Sequence, residues 1–177
     1  MAISPTTAPS RWPATCADGR GVTIRVERAT GPTAEVRALI GELDAELMRH
    51  YPPEQRHGLA LDAIFQPHIS FFIAWLDGAA AGCGGVALFA DFAEVKRMYV
   101  REAARGQGVA DAILARLAME ASDVGLTLLR LETGTRQQAA IGFYRRAGFV
   151  PCAAFEPYST LPAANVATSL FMEKALI

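Results

Sequence analysis

Arg105-Gly106-Gln107-Gly108-Val109-Ala110 is a glycine-rich junction between two regular segments. Ala93–Val100, before it, has the composition of a β-strand, and after it apolar residues recur at helical spacing. A loop between a strand and a helix N-terminus offers unpaired backbone N–H groups and the positive end of a helix dipole. Glycine lets the main chain approach an anion closely, and Arg105 adds a cation. The stretch therefore predicts a phosphate or pyrophosphate site.

Two familiar phosphate motifs are absent from the sequence. A nucleotide P-loop needs Gly-Lys followed by Ser or Thr, and a dinucleotide fold needs G-x-G-x-x-G at its first strand-to-helix turn. What remains is R-x-x-G-x-A, followed by a predicted strand at 127–133 and a predicted helix at 137–147. A second motif begins within this predicted helix and ends just after it: Ala140-Ile141-Gly142-Phe143-Tyr144-Arg145-Arg146-Ala147-Gly148-Phe149.

The two motifs, in this order, resemble those of the GCN5-related N-acetyltransferases. Their order along the chain is more specific than either motif alone. The resemblance implies that a six-residue loop holds the pyrophosphate of acetyl-coenzyme A. These residues are Arg105, Gly106, Gln107, Gly108, Val109 and Ala110. Two positions depart from the commonest pattern: Ala110 replaces a glycine, and Gln137 stands where many members have an asparagine that faces the cofactor.

The resemblance also implies that two central strands of the sheet splay apart. Backbone groups of Met98, Tyr99 and Val100 would then be free to bind the pantetheine arm and the thioester oxygen. The alternative is that these groups pair within the sheet.

Tyr144 occupies the position at which the family places a tyrosine whose hydroxyl reaches the cofactor sulphur. A phenol is protonated at neutral pH and can give its proton to a departing thiolate. The alternative is a tyrosine that only packs beside Phe149.

Glu94 is the candidate general base, because it precedes the bulging strand in the register where some members carry a catalytic glutamate. Its carboxylate could take the proton of an amine directly or through water. Glu94 is equally compatible with a solvated strand residue.

Arg97 and Glu132 lie on strands that are expected to be neighbours, so they predict a cross-strand ion pair, with substrate contact by Glu132 as the alternative. Tyr51, Glu54 and His57 fall in the region that often walls the acceptor pocket in this family. A surface loop is the alternative there.

The order of predicted elements describes a mixed three-layer α/β sheet of about six to seven strands. A strand at 22–26 precedes a helix with apolar residues from Val36 to Leu47. Asp77-Gly78 predicts a tight hairpin between strands at 70–76 and 79–89. Gly82, Gly84 and Gly85 within the second strand indicate a bulge or a close backbone approach.

The helix after the glycine-rich loop carries one apolar stripe, which predicts that this face is core, and Gly125 is placed to end the helix. The stripe comprises Val109, Ile113, Leu114, Leu117, Ala121 and Val124. Closing strands are expected near 149–155 and 169–174.

Length and composition favour one globular domain over residues 21–177, after a poorly ordered extension over residues 1–20. The net charge of −1 provides no broad basic field, so a nucleic-acid partner is not expected. The cysteines and histidines show no metal-ligand spacing, so no metal site is expected. No run is long enough for a membrane span, and cytoplasmic localisation is expected.

The leading hypothesis is an acetyl-coenzyme A-dependent N-acetyltransferase that acts on a small amine or amino-acid-like metabolite in a ternary complex. Two alternatives stay open. One is acetylation of protein lysines or N-termini, and the other is a non-catalytic acyl-coenzyme A-binding regulatory module. A homodimer is also compatible with the apolar C-terminal strand.

Overall fold

The computed structural model describes residues 15–17 and 22–176, and within them the chain forms eight β-strands and four α-helices. The strands are β1 (Thr15–Ala17), β2 (Thr23–Ala29), β3 (Ile69–Leu76), β4 (Ala79–Leu88), β5 (Ala93–Val100), β6 (Leu128–Gly134), β7 (Val150–Pro151) and β8 (Ser169–Ala175). The helices are α1 (Ala34–Met48), α2 (Val109–Asp123), α3 (Gln138–Arg146) and α4 (Ala163–Val166).

All strands join one mixed sheet in the order β1-β2-β3-β4-β5-β6-β8-β7. Among the strands of the described residues, only β5 and β6 run parallel, and α2 connects them, as expected for a parallel crossover. Two of the strands, β1 and β7, have three and two residues, so six longer strands form the body of the sheet. The predicted mixed α/β class is confirmed.

Alternate side chains of β3 supply two separate cores. Phe71 and Ile73 pack with the buried residues of α1, whereas Phe72 and Ala74 pack with those of α2. Successive side chains of a strand point to opposite faces of the sheet, so α1 and α2 cover opposite faces. This arrangement is the predicted three-layer architecture.

The hairpin between β3 and β4 turns at Asp77 and Gly78, as the sequence predicts. Both residues have positive φ, 50° and 84°, which is the signature of the tight turn that suits twisted strands. The Asp77 carboxylate also accepts a hydrogen bond from the backbone N–H of Thr23 at 3.0 Å, which ties the turn to β2.

The apolar stripe of α2 is buried at five of its six predicted positions. Val124 is the exception, with 58% of its surface exposed. Because α2 ends at Asp123 and Gly125 takes a φ of +83°, Val124 lies on the turn that leaves the helix, where its side chain faces away from the core.

A β-bulge in β5 and a splay beside it shape the centre of the sheet. Opposite β4, the register skips from Tyr99 to Lys96, and Arg97 within this step has a φ of +53°. On its other side β5 pairs with β6 only over Ala93–Val95, so the strands separate beyond that point. The predicted splay of the central strands is confirmed.

Close approach accompanies the bulge at the glycines of β4. A Cβ on Gly82 would lie 2.6 Å from the carbonyl oxygen of Tyr99, and one on Gly84 would lie 2.7 Å from a methyl group of Ile113. Larger residues would displace β5 or α2 from their present positions beside β4. The bulge and the close approach that the glycines predict are therefore both present.

The ends of the chain differ from the predicted pattern in detail. The strand expected at 149–155 is limited to Val150–Pro151, and one short 3₁₀-helix and α4 lie between it and β8. Most of the extension predicted for residues 1–20 falls outside the described residues, although Thr15–Ala17 within it pairs with β2. Of the helices in the described segments, none is long and apolar enough to cross a membrane.

Candidate active site

The glycine-rich loop meets α2 as a cradle of backbone N–H groups. Gly106 and Gly108 have φ of +75° and +83°, and Gly108 is the N-cap of α2 without a side chain to cap it. No backbone acceptor within residues 22–176 binds the N–H groups from Gly106 to Asp111. Several donors therefore converge at the positive end of a helix, which suits a pyrophosphate.

Arg105 forms one wall of this cradle. Its Nε donates to the carbonyl oxygen of Val100 at 3.0 Å, and its Nη2 lies 3.0 Å from Glu46 Oε2 on α1. The other loop side chains hold the loop in place: Gln107 Nε2 donates to the carbonyl oxygen of Ala103 at 2.9 Å, and Val109 is buried in the core. Neither of these last two residues lines the adjacent cleft.

A cleft of about 570 Å³ extends from the cradle to α3. Arg105, Gly106, Gly108 and Ala110 line one end, and Phe143 and Tyr144 line the other. Met98, Tyr99 and Val100 line its floor, beyond the last residue of β5 that pairs with β6. The cleft thus connects a phosphate cradle to an unpaired strand edge.

A second cavity, of about 100 Å³, lies on the far side of Tyr144. Its polar lining includes Glu94, Lys96, Glu132, His57 and Tyr158. The cleft and the cavity share five lining residues, namely Leu43, Met98, Gln137, Ala140 and Tyr144. Molecules in the two spaces would therefore meet at a common wall.

Tyr144 is 7% exposed, and its hydroxyl donates to Met98 Sδ at 3.6 Å. Burial raises the pKa of Tyr144, and the nearby carboxylate of Glu132 raises it further. The phenol is consequently neutral at physiological pH and remains a proton donor. Its ring also packs edge-on against Phe149, so the packing alternative coexists with a polar role.

Glu94 is fully buried and belongs to a three-residue network. Its Oε1 lies 2.6 Å from Lys96 Nζ and accepts from the Tyr158 hydroxyl at 2.7 Å, while Lys96 Nζ also donates to that hydroxyl at 2.8 Å. Oε2 has no hydrogen-bond partner among the described residues, although it is buried beside the cavity. Glu94 is therefore not the solvated strand residue of the alternative interpretation.

The prediction of an ion pair between Arg97 and Glu132 is wrong. Arg97 Nη2 instead lies 2.7 Å from Asp44 Oδ1 on α1. The two strands have already separated at this level, and the bulge at Arg97 changes the direction of its side chain. Glu132 lines the second cavity, where burial raises its pKa.

The remaining predicted acceptor-pocket residues occupy different places. Tyr51 lines the cavity, and its hydroxyl accepts from the backbone N–H of Arg136 at 2.8 Å. His57 also lines the cavity, with Nε2 3.1 Å from the carbonyl oxygen of Asn165. Glu54 is exposed and lines neither space.

Gln137 lines both spaces but uses its side-chain oxygen locally. Oε1 accepts from Thr133 Oγ1 at 3.0 Å and from the backbone N–H of Gly134 at 3.1 Å, which connects β6 to the start of α3. Its amide nitrogen remains for a ligand, so the cofactor contact stays a prediction. Among the described ranges, no group of three or more His, Cys, Asp or Glu residues is placed to hold a metal ion.

Sequence reasoning missed Tyr158 and Arg56, which also line the second cavity. Tyr158 lies in an irregular segment 64 residues after Glu94, where neither periodicity nor a motif singles it out. Arg56 follows the Tyr51-Pro52-Pro53 turn, but its type alone gave no reason to prefer it over other surface arginines.

Comparisons with known proteins agree with this geometry. Residues 38–149 match the family model described as "Acetyltransferase (GNAT) family". An IAA acetyltransferase of Azospirillum brasilense is 41% identical over 155 residues, which cover 86% of this chain and 98% of that protein. The N-acetyltransferase YsnE of Bacillus subtilis, which is uncharacterized, is 32% identical over 86% of this chain and 99% of its own.

Solved structures give the same result. A Klebsiella pneumoniae protein described provisionally as an acyl-CoA N-acyltransferase is 34% identical, with a TM-score of 0.68 over 87% of this chain and 98% of its own. The PaiA N-acetyltransferase of Thermoplasma acidophilum, solved with coenzyme A, has a TM-score of 0.67 over 86% of this chain and 98% of its own. At 15% identity, this second likeness concerns the fold alone.

Proposed function

This chain belongs to the GNAT acetyltransferase family and is an acetyl-CoA-dependent N-acetyltransferase, and we propose that its acceptor is the primary amine of a small metabolite. The observation that carries the proposal is the common wall at Tyr144. A cleft with a phosphate cradle and a small cavity lined by charged residues of both signs meet there, so donor and acceptor can be bound together. Direct transfer in a ternary complex follows from that arrangement.

The cleft has the groups that a coenzyme A ligand needs. Backbone N–H groups from Gly106 to Ala110 would hold the pyrophosphate, and Arg105 would add a cation beside it. Met98, Tyr99 and Val100 would pair with the amides of the pantetheine arm along the unpaired edge of β5. Bound acetyl-CoA supplies an acetyl group that is already activated as a thioester.

Glu94 is proposed as the group that removes the proton of the acceptor amine. Its Oε2 is unpartnered among the described side chains, whereas Oε1 is held by Lys96 and Tyr158. One oxygen thus orients the carboxylate and the other is available to the amine, directly or through a water molecule.

Tyr144 is proposed as the proton donor to the departing thiolate. Its hydroxyl lies at the wall between the two spaces, and burial keeps the phenol protonated. The hydroxyl donates to Met98 Sδ, and because a thioether sulphur is a weak acceptor, a better acceptor would displace it readily.

We assign the second cavity to the acceptor and call it the acceptor-side cavity. Its dimensions favour a small molecule over a protein as the acceptor. The cavity has a volume of about 100 Å³ and lies between β5, β6 and the loop that contains His57. For a lysine of a folded protein to reach the cavity, the polypeptide that carries this lysine would have to fit against the same loop. A free metabolite has no such constraint, so a small acceptor is preferred over a protein lysine or N-terminus.

A screen of acceptors tests the proposal. Purified protein is incubated with acetyl-CoA and a panel of primary amines, amino acids and lysine peptides, and release of the coenzyme A thiol is measured. The proposal predicts turnover with one or more small amines and none above background with the peptides. Binding of acetyl-CoA without turnover on any amine would instead support the regulatory module.

A further inference from the structure

Arg97 is a buried guanidinium with few partners. Its side chain is only 4% exposed, and Asp44 Oδ1 accepts its one side-chain hydrogen bond within the described segments. Nε is buried and has no partner there, although the residue lines the acceptor-side cavity. A guanidinium has five N–H donors, so most of the hydrogen-bonding capacity of Arg97 is unused.

The surrounding backbone is shaped to accept this side chain. Arg97 sits at the bulge of β5 with a φ of +53°, an unfavourable conformation for a residue with a long side chain. Gly58 lies against it, and a Cβ at Gly58 would collide with Arg97 Nη1. Backbone conformations of this kind cluster at ligand-binding sites, where the surrounding structure holds them in place.

Arg56 is a second cation at the same cavity. It is half-buried, its Nε is buried without a partner among residues 22–176, and no carboxylate there forms an ion pair with it. Lys96 is different, because Glu94 Oε1 already lies 2.6 Å from its ammonium group. The cavity therefore contains two guanidinium groups with spare donors.

The same cavity contains acceptors for a cation. Glu94 Oε2 is buried and unpartnered in the described part of the chain, and the carboxyl group of Glu132 lines the cavity as well. Leaving a buried hydrogen-bonding atom of a charged group without a partner costs free energy, which a ligand of complementary charge would recover. A ligand with both an ammonium and a carboxylate group supplies partners for both kinds.

We propose that the acceptor is a small amino acid whose carboxylate binds Arg97 and Arg56 while its amine faces Glu94 and Glu132. This inference rests on the proposed N-acetyltransferase function and specifies the substrate of that site. The planar guanidinium suits a carboxylate because it can donate two parallel hydrogen bonds. The cavity of about 100 Å³ limits the acceptor to a short side chain.

Matched acceptors test the proposal by turnover. Alanine, alaninamide and ethylamine share an amine but differ in the carboxylate, and kcat/KM is measured for each. We expect alanine to exceed the other two by about 10- to 100-fold, the effect of one or two charged hydrogen bonds. Equal or lower kcat/KM for alanine would overturn the proposal.

Variants connect the preference to the two arginines. Arg56→Gln and Arg97→Lys should bring the ratio of alanine to alaninamide toward one, mainly through KM. Arg56 is half-buried, so its variant keeps the test valid if Arg97→Lys does not fold. Asp44→Asn is the matched control, because it removes the ion partner of Arg97 but leaves both guanidinium groups, and the ratio should persist. An unchanged ratio in Arg56→Gln would contradict the assignment.

A binding measurement separates this inference from the proposed function. Calorimetry in the presence of coenzyme A compares N-acetylalanine with N-ethylacetamide, which lacks the carboxylate. Tighter binding of N-acetylalanine that is lost in Arg56→Gln would support the carboxylate site even if no amine were acetylated. Turnover of ethylamine together with equal binding of both products would preserve the proposed function and overturn the amino-acid acceptor.

Discussion

The hydroxyl of Tyr144 lies 3.6 Å from Met98 Sδ, and both residues line the cofactor cleft and the acceptor-side cavity. One residue comes from α3 and the other from the splayed part of β5. In the proposed mechanism, this contact marks the place where the two substrates meet. The contact is possible only because β5 and β6 separate after Val95.

Replacing Tyr144 with Phe removes only the hydroxyl and keeps the buried ring. We expect kcat to fall on the order of 10²-fold, the effect of one general acid, with little change in acetyl-CoA affinity. Steady-state kinetics and calorimetry measure the two quantities. Full activity in Tyr144→Phe would remove this hydroxyl from the mechanism.

Gly108→Val is expected to weaken acetyl-CoA binding strongly, because a β-branched residue is strained at a φ of +83° and would shift the backbone N–H groups that form the cradle. The backbone strain itself costs on the order of 1–2 kcal/mol of stability. Gly125→Val is the matched control, since Gly125 also has a φ of +83° but lines neither space. Both variants should lose stability, whereas only Gly108→Val should lose cofactor affinity in calorimetry.

Glu132→Gln should stabilise the ligand-free protein at neutral pH. Burial raises the pKa of Glu132 above its ordinary value of 4.5, so the folded state prefers the protonated carboxyl. The stability that this preference contributes is present below pH 4.5 and is lost as the pH rises through the folded-state pKa. Glutamine imitates the protonated form, so the gain in melting temperature should be seen at pH 7 and should vanish in acid.

Glu35→Gln provides the control of opposite sign. A hydrogen bond from its own backbone N–H, with help from Thr33, lowers the pKa of Glu35. The charged form is then favoured in the folded state, so this substitution should slightly lower the melting temperature at neutral pH. A Glu132→Gln protein that is less stable than the parent at neutral pH would contradict the buried, proton-binding carboxyl.

Cys83 is expected to be unreactive in the native protein. Burial raises the pKa of its thiol to about 12, so almost no thiolate exists at neutral pH. Alkylation followed by peptide mass spectrometry should modify half-buried Cys152 before Cys83, and Cys83 only after unfolding. Rapid alkylation of Cys83 under native conditions would show that β4 opens readily.

The local patterns in the sequence predict most of the fold. The Asp77-Gly78 turn, the apolar stripe of α2 and the glycine-rich loop each depend on neighbouring residues, which the sequence displays directly. The position of Tyr144 at the cofactor also remains a prediction of the motif, and the geometry is compatible with it.

The interactions between distant segments are what the sequence does not reveal. The prediction of a pair between Arg97 and Glu132 follows from their positions on neighbouring strands, but the bulge and the splay direct Arg97 to Asp44. The contact between Tyr158 and Glu94 depends on how residues 152–168 pack, and no periodicity encodes that path. The sequence therefore shows which charged residues are present, but it does not show which of them pair in the cavity.

Initial-velocity kinetics test most directly whether both substrates occupy adjacent spaces that meet at Tyr144. Acetyl-CoA and the best acceptor from the screen are varied together, and reciprocal plots are compared. Two spaces that are filled at the same time predict intersecting lines and no acetylated protein by mass spectrometry. Parallel lines with an acetyl group on the protein would show a covalent two-step transfer and would contradict direct transfer across the shared wall.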